Sequence, residues 1–142
     1  MAKKISFFLF LVFVLITFVP ANIIFSDDKQ DQSFADALTL IDDGNYADAL
    51  QILIKIEDNS PEMKQVIANC YAREEVWEEA AKYYNQAIST EYALSDYSTY
   101  HLARCYQILE DSEKSVKYYQ RLVNHYPNSP HFSEARFQIA VV

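Results

Sequence analysis

Residues 68–88, ANCYAREEVWEEAAKYYNQAI, and residues 103–123, ARCYQILEDSEKSVKYYQRLV, repeat one another at a spacing of 35. Ala68 and Ala103, Cys70 and Cys105, Tyr71 and Tyr106, Glu75 and Glu110, Glu78 and Glu113, Lys82 and Lys117, Tyr83 and Tyr118, and Tyr84 and Tyr119 are identical pairs. A fixed period in the thirties marks supersecondary units that cannot bury their apolar faces alone and so stack on one another. The sequence therefore predicts an all-α solenoid of antiparallel helix hairpins, an architecture suited to binding rather than catalysis.

Working outward from the repeat, one glycine and four prolines in 142 residues leave little turn-driven β structure. The breakers fall where hairpins need them. Asp42-Asp43-Gly44-Asn45 is a turn with Gly44 suited to a left-handed helix end. Ser60-Pro61 reads as an N-cap followed by a first-turn proline, and Tyr126-Pro127-Asn128-Ser129-Pro130 closes a later hairpin. The periodicity predicts helices at 32–43, 46–57, 61–73, 76–89, 95–109, 112–125 and 131–141, grouped as repeats 32–60, 61–94, 95–129 and a partial unit 130–142. Tyr71, Tyr84, Tyr106 and Tyr119 are expected between helices, with Tyr83 and Tyr118 as a strip along the outer helices.

The second helix of each pair carries a spacing that resembles the tetratricopeptide repeat. Trp77, Ala80, Tyr84 and Ala87 match its aromatic, alanine, aromatic, alanine pattern, Ser115, Tyr119, Leu122 and Pro127 follow it in the next unit, and Gly44-Asn45-Tyr46 with Ala49 and Leu50 begins a degenerate first unit. The resemblance covers residues 32–142 and implies a right-handed solenoid whose first helices line a concave groove. Carried over position by position, it implies groove residues Phe34, Leu38 and Ile41, then Gln65, Asn69 and Arg73, then Tyr97, Tyr100, Arg104 and Gln107. Such a groove would take a protein or peptide partner and hold a carboxylate through Arg73 or Arg104. The alternative is that the tyrosines cover neighbouring helices and the arginines pair with nearby glutamates. The Lys and Asn set of chaperone-type carboxylate clamps is not reproduced. The run HYPNSPHFSEAR, 125–136, resembles bacterial cell-envelope tetratricopeptide proteins of the Tol-Pal-associated and outer-membrane-assembly type, which implies an exported adaptor.

An export signal is legible at the N-terminus. Lys3 and Lys4 precede an apolar run from Ile5 to Val19, ended by Pro20. Two readings stand: a signal peptide over 1–21 followed by a linker at 22–31, or an uncleaved membrane anchor reaching about residue 25. Both export the body to the periplasm or hold it outside the cytoplasm on the inner membrane, the N-terminal segment being its one contact with a bilayer. No cysteine follows the run, which disfavours a lipoprotein. The net charge of −8 argues against nucleic acid as a partner.

Chemistry finds no foothold. His101, His125 and His131 are too scattered for a metal motif, no cofactor motif or Gly-x-Ser-x-Gly elbow occurs, and one glycine cannot make a phosphate loop. The expectation is no enzyme, no metal and no cofactor. Cys70 and Cys105 share one repeat register, where first helices lie about 10 Å apart, too far for a bridge; free core thiols are favoured. The apolar close of the chain, Phe137, Ile139, Ala140, Val141 and Val142, suggests either self-association or a unit cut short.

Overall fold

Hydrophobic periodicity and turn chemistry translate into seven helices among the described residues. The computed structural model describes residues 21–89 and 92–141, with side chains from residue 30 onward. The helices are α1 Ala21–Asp42, α2 Tyr46–Leu53, α3 Pro61–Arg73, α4 Trp77–Ala87, α5 Ser95–Ile108, α6 Ser112–His125 and α7 Phe132–Val141. Each packs chiefly on its neighbours in the chain, so the hairpins α1/α2, α3/α4 and α5/α6 stack in order and α7 closes the row. Residues 1–20, which hold the signal or anchor segment, lie outside the described residues. Among the described residues no helix is long and apolar enough to cross a membrane.

Two helices depart from expectation. The first begins at Ala21 instead of near residue 32, so the stretch expected as a linker is helical; no glycine or proline lies between Ala21 and Asp43 to stop it. The second ends at Leu53, four residues early. There the Asp58 carboxylate accepts from the Ser60 backbone N–H at 2.7 Å and the Ser60 hydroxyl at 3.0 Å, a local turn that competes with helix. Ser60 in turn caps α3 by accepting from Met63 N–H at 3.2 Å, with Pro61 behind it.

Three apolar clusters follow the three hairpins. Ala37, Ala49, Leu50, Leu53, Met63, Ile67 and Cys70 form the first. Ala68, Ala80, Ala81, Tyr84, Leu102 and Cys105 form the second, and Ala103, Tyr119, Leu122 and Ala135 the third. The two cysteines are free and sit in different clusters. Burial raises the Cys70 thiol to about 11, helped by Glu74, and the Cys105 thiol to about 12, so both are inert small core residues. Tyr84 and Tyr119 are buried as expected, whereas Tyr71 and Tyr106 are half-buried. Tyr71 stacks on Tyr83 at 5.5 Å and Tyr106 on Tyr118 at 5.6 Å, so the outer tyrosines pair with the inner ones in both repeats.

The hairpin turns are built alike and at different strain. Asn45 N–H donates to Leu40 C=O and Gly44 N–H to Ile41 C=O; Val76 and Glu75, then Asp111 and Glu110, make the same pair of bonds to Tyr71 and Ala72, and to Tyr106 and Gln107. This is the Schellman arrangement, which needs a left-handed residue. Gly44 supplies it at φ 79°, but Glu75 and Glu110 adopt φ 59° and 58° with side chains present. A left-handed conformation costs an L-residue about 1–2 kcal/mol. Glu75→Gly and Glu110→Gly are each expected to stabilise the fold by up to about 1 kcal/mol, part of the gain being offset by glycine's larger unfolded-state entropy. Chemical denaturation of the two single variants and the double variant checks this, and a lower midpoint for either would contradict it.

Candidate functional site

Helical spacing sets which side chains share a face. On α3, Val66, Asn69, Cys70 and Arg73 fall at intervals of three and four, and on α5 Tyr97, His101, Arg104, Cys105 and Ile108 do the same. These residues line one cavity of about 530 Å³, completed by Leu38 and Ile41 from α1, Tyr46 from α2, Ala72 from α3, and Trp77 and Tyr84 from α4. The first helices of three hairpins thus share a concave surface, with aromatic residues from the second helices at its floor.

Of the groove residues expected from sequence, Leu38, Ile41, Asn69, Arg73, Tyr97 and Arg104 line this cavity. Phe34 does not; it packs half-buried on the first core cluster. Gln65 is buried and joins α3 to the next repeat, its Oε1 accepting from the Ser98 hydroxyl at 3.1 Å and the Tyr92 hydroxyl at 2.8 Å. Tyr100 stacks on His131 at 4.1 Å, covering the turn that leads into α7. Gln107 accepts from the Tyr119 hydroxyl at 3.1 Å and donates to Gln138 Oε1 at 2.9 Å, which ties α5 to α7.

Asn69 faces the cavity with its carbonyl already engaged. Its Oδ1 accepts from the Tyr84 hydroxyl at 2.6 Å and the Tyr97 hydroxyl at 3.3 Å, which positions both rings. The arginines are differently placed. Both are exposed, Arg73 over the Tyr46 ring at 6.0 Å and Arg104 over the Tyr100 ring at 5.9 Å. The ion pairs among the described residues are Lys82 with Glu79 and Lys114 with Asp111, both outside this surface. Among the described residues neither guanidinium is ion-paired with a carboxylate, in contrast to the alternative that nearby glutamates pair with them. Lying over a tyrosine ring, each guanidinium leaves its N–H fork available to an incoming acid.

His101 is one of the cavity residues that the sequence did not place in the groove. It lies one helical turn beyond Tyr97, a spacing that could have placed it there. Its ring lies 4.1 Å from Tyr97, 5.2 Å from Tyr100 and 5.5 Å from Tyr84. Burial, with Arg104 and His131 nearby, lowers its pKa to about 4. At neutral pH it is uncharged and adds apolar wall beside the cationic pair. Trp77 and Tyr46 were legible as the aromatics that open second helices, but nothing in the periodicity assigned them to the concave side; Ile108, one turn beyond Arg104 and 35 residues beyond Arg73, shares their face and could have been placed there.

Residues 65–96 and 97–129 each match a family model of the tetratricopeptide repeat. No curated protein sequence matches the chain. Solved structures do. PcrH in complex with the chaperone binding region of PopB is 17% identical with a TM-score of 0.63, over 81% of this chain and 95% of that one. The Yersinia enterocolitica type III secretion chaperone SycD, in complex with a peptide of the translocator YopD, is 15% identical with a TM-score of 0.64, over 80% and 88%. YrrB, a tetratricopeptide protein with an unusual peptide-binding site, is 21% identical with a TM-score of 0.62, over 83% of this chain and 61% of that one. At these identities the likeness is one of fold.

Proposed function

We propose that the tetratricopeptide repeats of this chain form a non-catalytic scaffold that holds a segment of a partner protein in the concave cavity. The observation that carries the reading is the pair of exposed arginines, unmatched by any carboxylate among the described residues, set in an apolar and aromatic trough of a chain whose net charge is −8. An acidic protein that keeps two guanidiniums free on one surface presents them to something else. PcrH and SycD are described with bound segments of PopB and YopD, and YrrB with a peptide-binding site, which supports the same use of the trough here.

The setting we propose is the cell envelope. Lys3, Lys4 and the apolar run to Val19 support export, whether the segment is cleaved or stays as an anchor, and the 125–136 run supports a relationship to envelope adaptors. A photoreactive phenylalanine analogue in place of Leu38, 41% exposed at the cavity, is expected to cross-link a discrete partner segment in envelope fractions. The same analogue in place of Gln120, exposed on α6, is expected to leave that segment untouched. Cross-linking from Gln120 alone would move the site to the outer face.

A further inference from the structure

One face of α5 carries Tyr97, Tyr100, His101 and Arg104 at i, i+3, i+4 and i+7, the spacing of a single helical stripe. His101 sits within this stripe among aromatic rings. Its centroid lies 4.1 Å from Tyr97, 5.2 Å from Tyr100, 5.5 Å from Tyr84 on α4 and 6.2 Å from His131 in the turn before α7. His131 in turn stacks on Tyr100 at 4.1 Å, the rings 8° from parallel, and lies 6.0 Å from Tyr97. Five rings from three segments thus form one cluster, and Tyr84, Tyr97 and His101 among them line the cavity. The titratable and charged groups around His101 are Tyr97, Tyr100 and Arg104 on α5, Tyr84 on α4, Arg73 across the cavity on α3, the neutral thiols Cys70 and Cys105, and His131. Tyr119 of α6 meets Tyr100, and Glu134 of α7 acts on Tyr119. Burial disfavours the imidazolium first, then Arg104 and His131, and no carboxylate among the described residues offsets them. Tyrosine faces attract an imidazolium, but burial outweighs that attraction here.

We propose that the rings of Tyr84, Tyr97, Tyr100, His101 and His131 form an acid-operated latch. Uncharged, they hold α5 against α4 and against the turn that leads into α7; protonation of His101 loosens these contacts and the groove wall they support. Above pH 6.5 His101 is uncharged in the folded and the unfolded chain alike. Between 6.5 and about 4 the unfolded chain accepts a proton that the folded chain refuses, so stability is lost as pH falls; below about 4 both are charged and the loss is complete. The ring is half-buried, so after allowance for the water that reaches it the folding equilibrium constant is expected to fall about tenfold to a hundredfold. The new charge lies at one interface of a stacked row, where units can open individually. The latch needs no bound partner, so it stands or falls apart from the groove reading.

Chemical denaturation of the full chain at pH values of about 7.5 and about 4.5 tests this. His101→Phe keeps an aromatic ring in the cluster and is expected to lose most of the acid-induced fall in stability. His125→Gln, at an exposed position on α6, is expected to keep it. Proton NMR of the unsubstituted chain gives a second readout that holds even if His101→Phe does not fold. The His101 ring is expected to titrate well below 6.5, and the amide signals of α5 and α7 to shift with it, ahead of those of α1 and α2. A His101 ring that titrates near 6.5 would overturn the latch. So would an equal acid loss in the parent and in His101→Phe, or amide changes spread evenly over the three hairpins, which would mark general acid weakening.

Discussion

Replacing Arg73 and Arg104 together by glutamine is expected to weaken partner binding by about ten- to hundredfold while leaving the helix content and thermal midpoint nearly unchanged. A hydrogen bond to a charged group contributes about 1.5–3 kcal/mol when desolvated. Both guanidiniums are exposed at the cavity rim, so roughly 1 kcal/mol apiece is the sounder figure after solvent screening. Two such losses multiply to the stated range. The fold should tolerate the change because neither arginine holds an ion pair with a carboxylate of the described chain; what is lost is their contact with Tyr46 and Tyr100, worth about 0.5 kcal/mol at an exposed site. Lysine at both positions should recover charge but not the fork, and so restore only part of the affinity. The remaining affinity of the wild-type chain should fall as salt rises. Titration of a bound segment by calorimetry at two ionic strengths decides it: equal affinity for the glutamine variant, or no dependence on salt, would sink the cationic role.

The legible part of this molecule was its frame. Identical residues recurring at a spacing of 35, a glycine at a turn and a Ser-Pro helix start are local signals, and local signals place helices. The departures have local causes too, in the Asp58 carboxylate that captures Ser60 and in a breaker-free stretch before residue 32. The site was less legible because the concave face is shared by three hairpins. Family spacing placed Asn69, Arg73, Tyr97 and Arg104 on it, but spacing cannot show that Gln65 turns inward to Tyr92 and Ser98, or that His131, in the turn before α7, covers Tyr100. Nor does it reveal that Asn69 is occupied by two tyrosine hydroxyls, which makes it a positioning residue for the groove walls.

That occupied asparagine makes Tyr84 the residue on which repeat packing and groove shape both depend. Tyr84→Ala is expected to cost about 3–5 kcal/mol, the usual range for emptying an aromatic site in a core. The ring is 2% exposed and is packed with Ala68, Ala80, Leu102 and Cys105, so it joins the second hairpin to the first helix of the third. Its hydroxyl donates to Asn69 Oδ1 at 2.6 Å, and burial raises its pKa, so it remains a neutral donor throughout the working range. In a stacked array, stability is roughly a sum of unit terms and nearest-neighbour interfaces. Removing one interface therefore lowers the midpoint and also uncouples the units on either side. The expected melt is broader, with α5 to α7 losing helicity before the first hairpin does. Tyr84→Phe separates the two contributions. The cavity stays filled and Asn69 keeps the Tyr97 hydroxyl at 3.3 Å, so the cost falls to about 1 kcal/mol. Should Tyr84→Ala melt as sharply as the parent and within a few degrees of it, the interface between the second and third hairpins would not run through this ring. The free Cys105 thiol, buried beside it in the second cluster, offers the site-specific readout. Its labelling by a thiol reagent should accelerate in Tyr84→Ala well below the global midpoint, because opening at that interface is what exposes it.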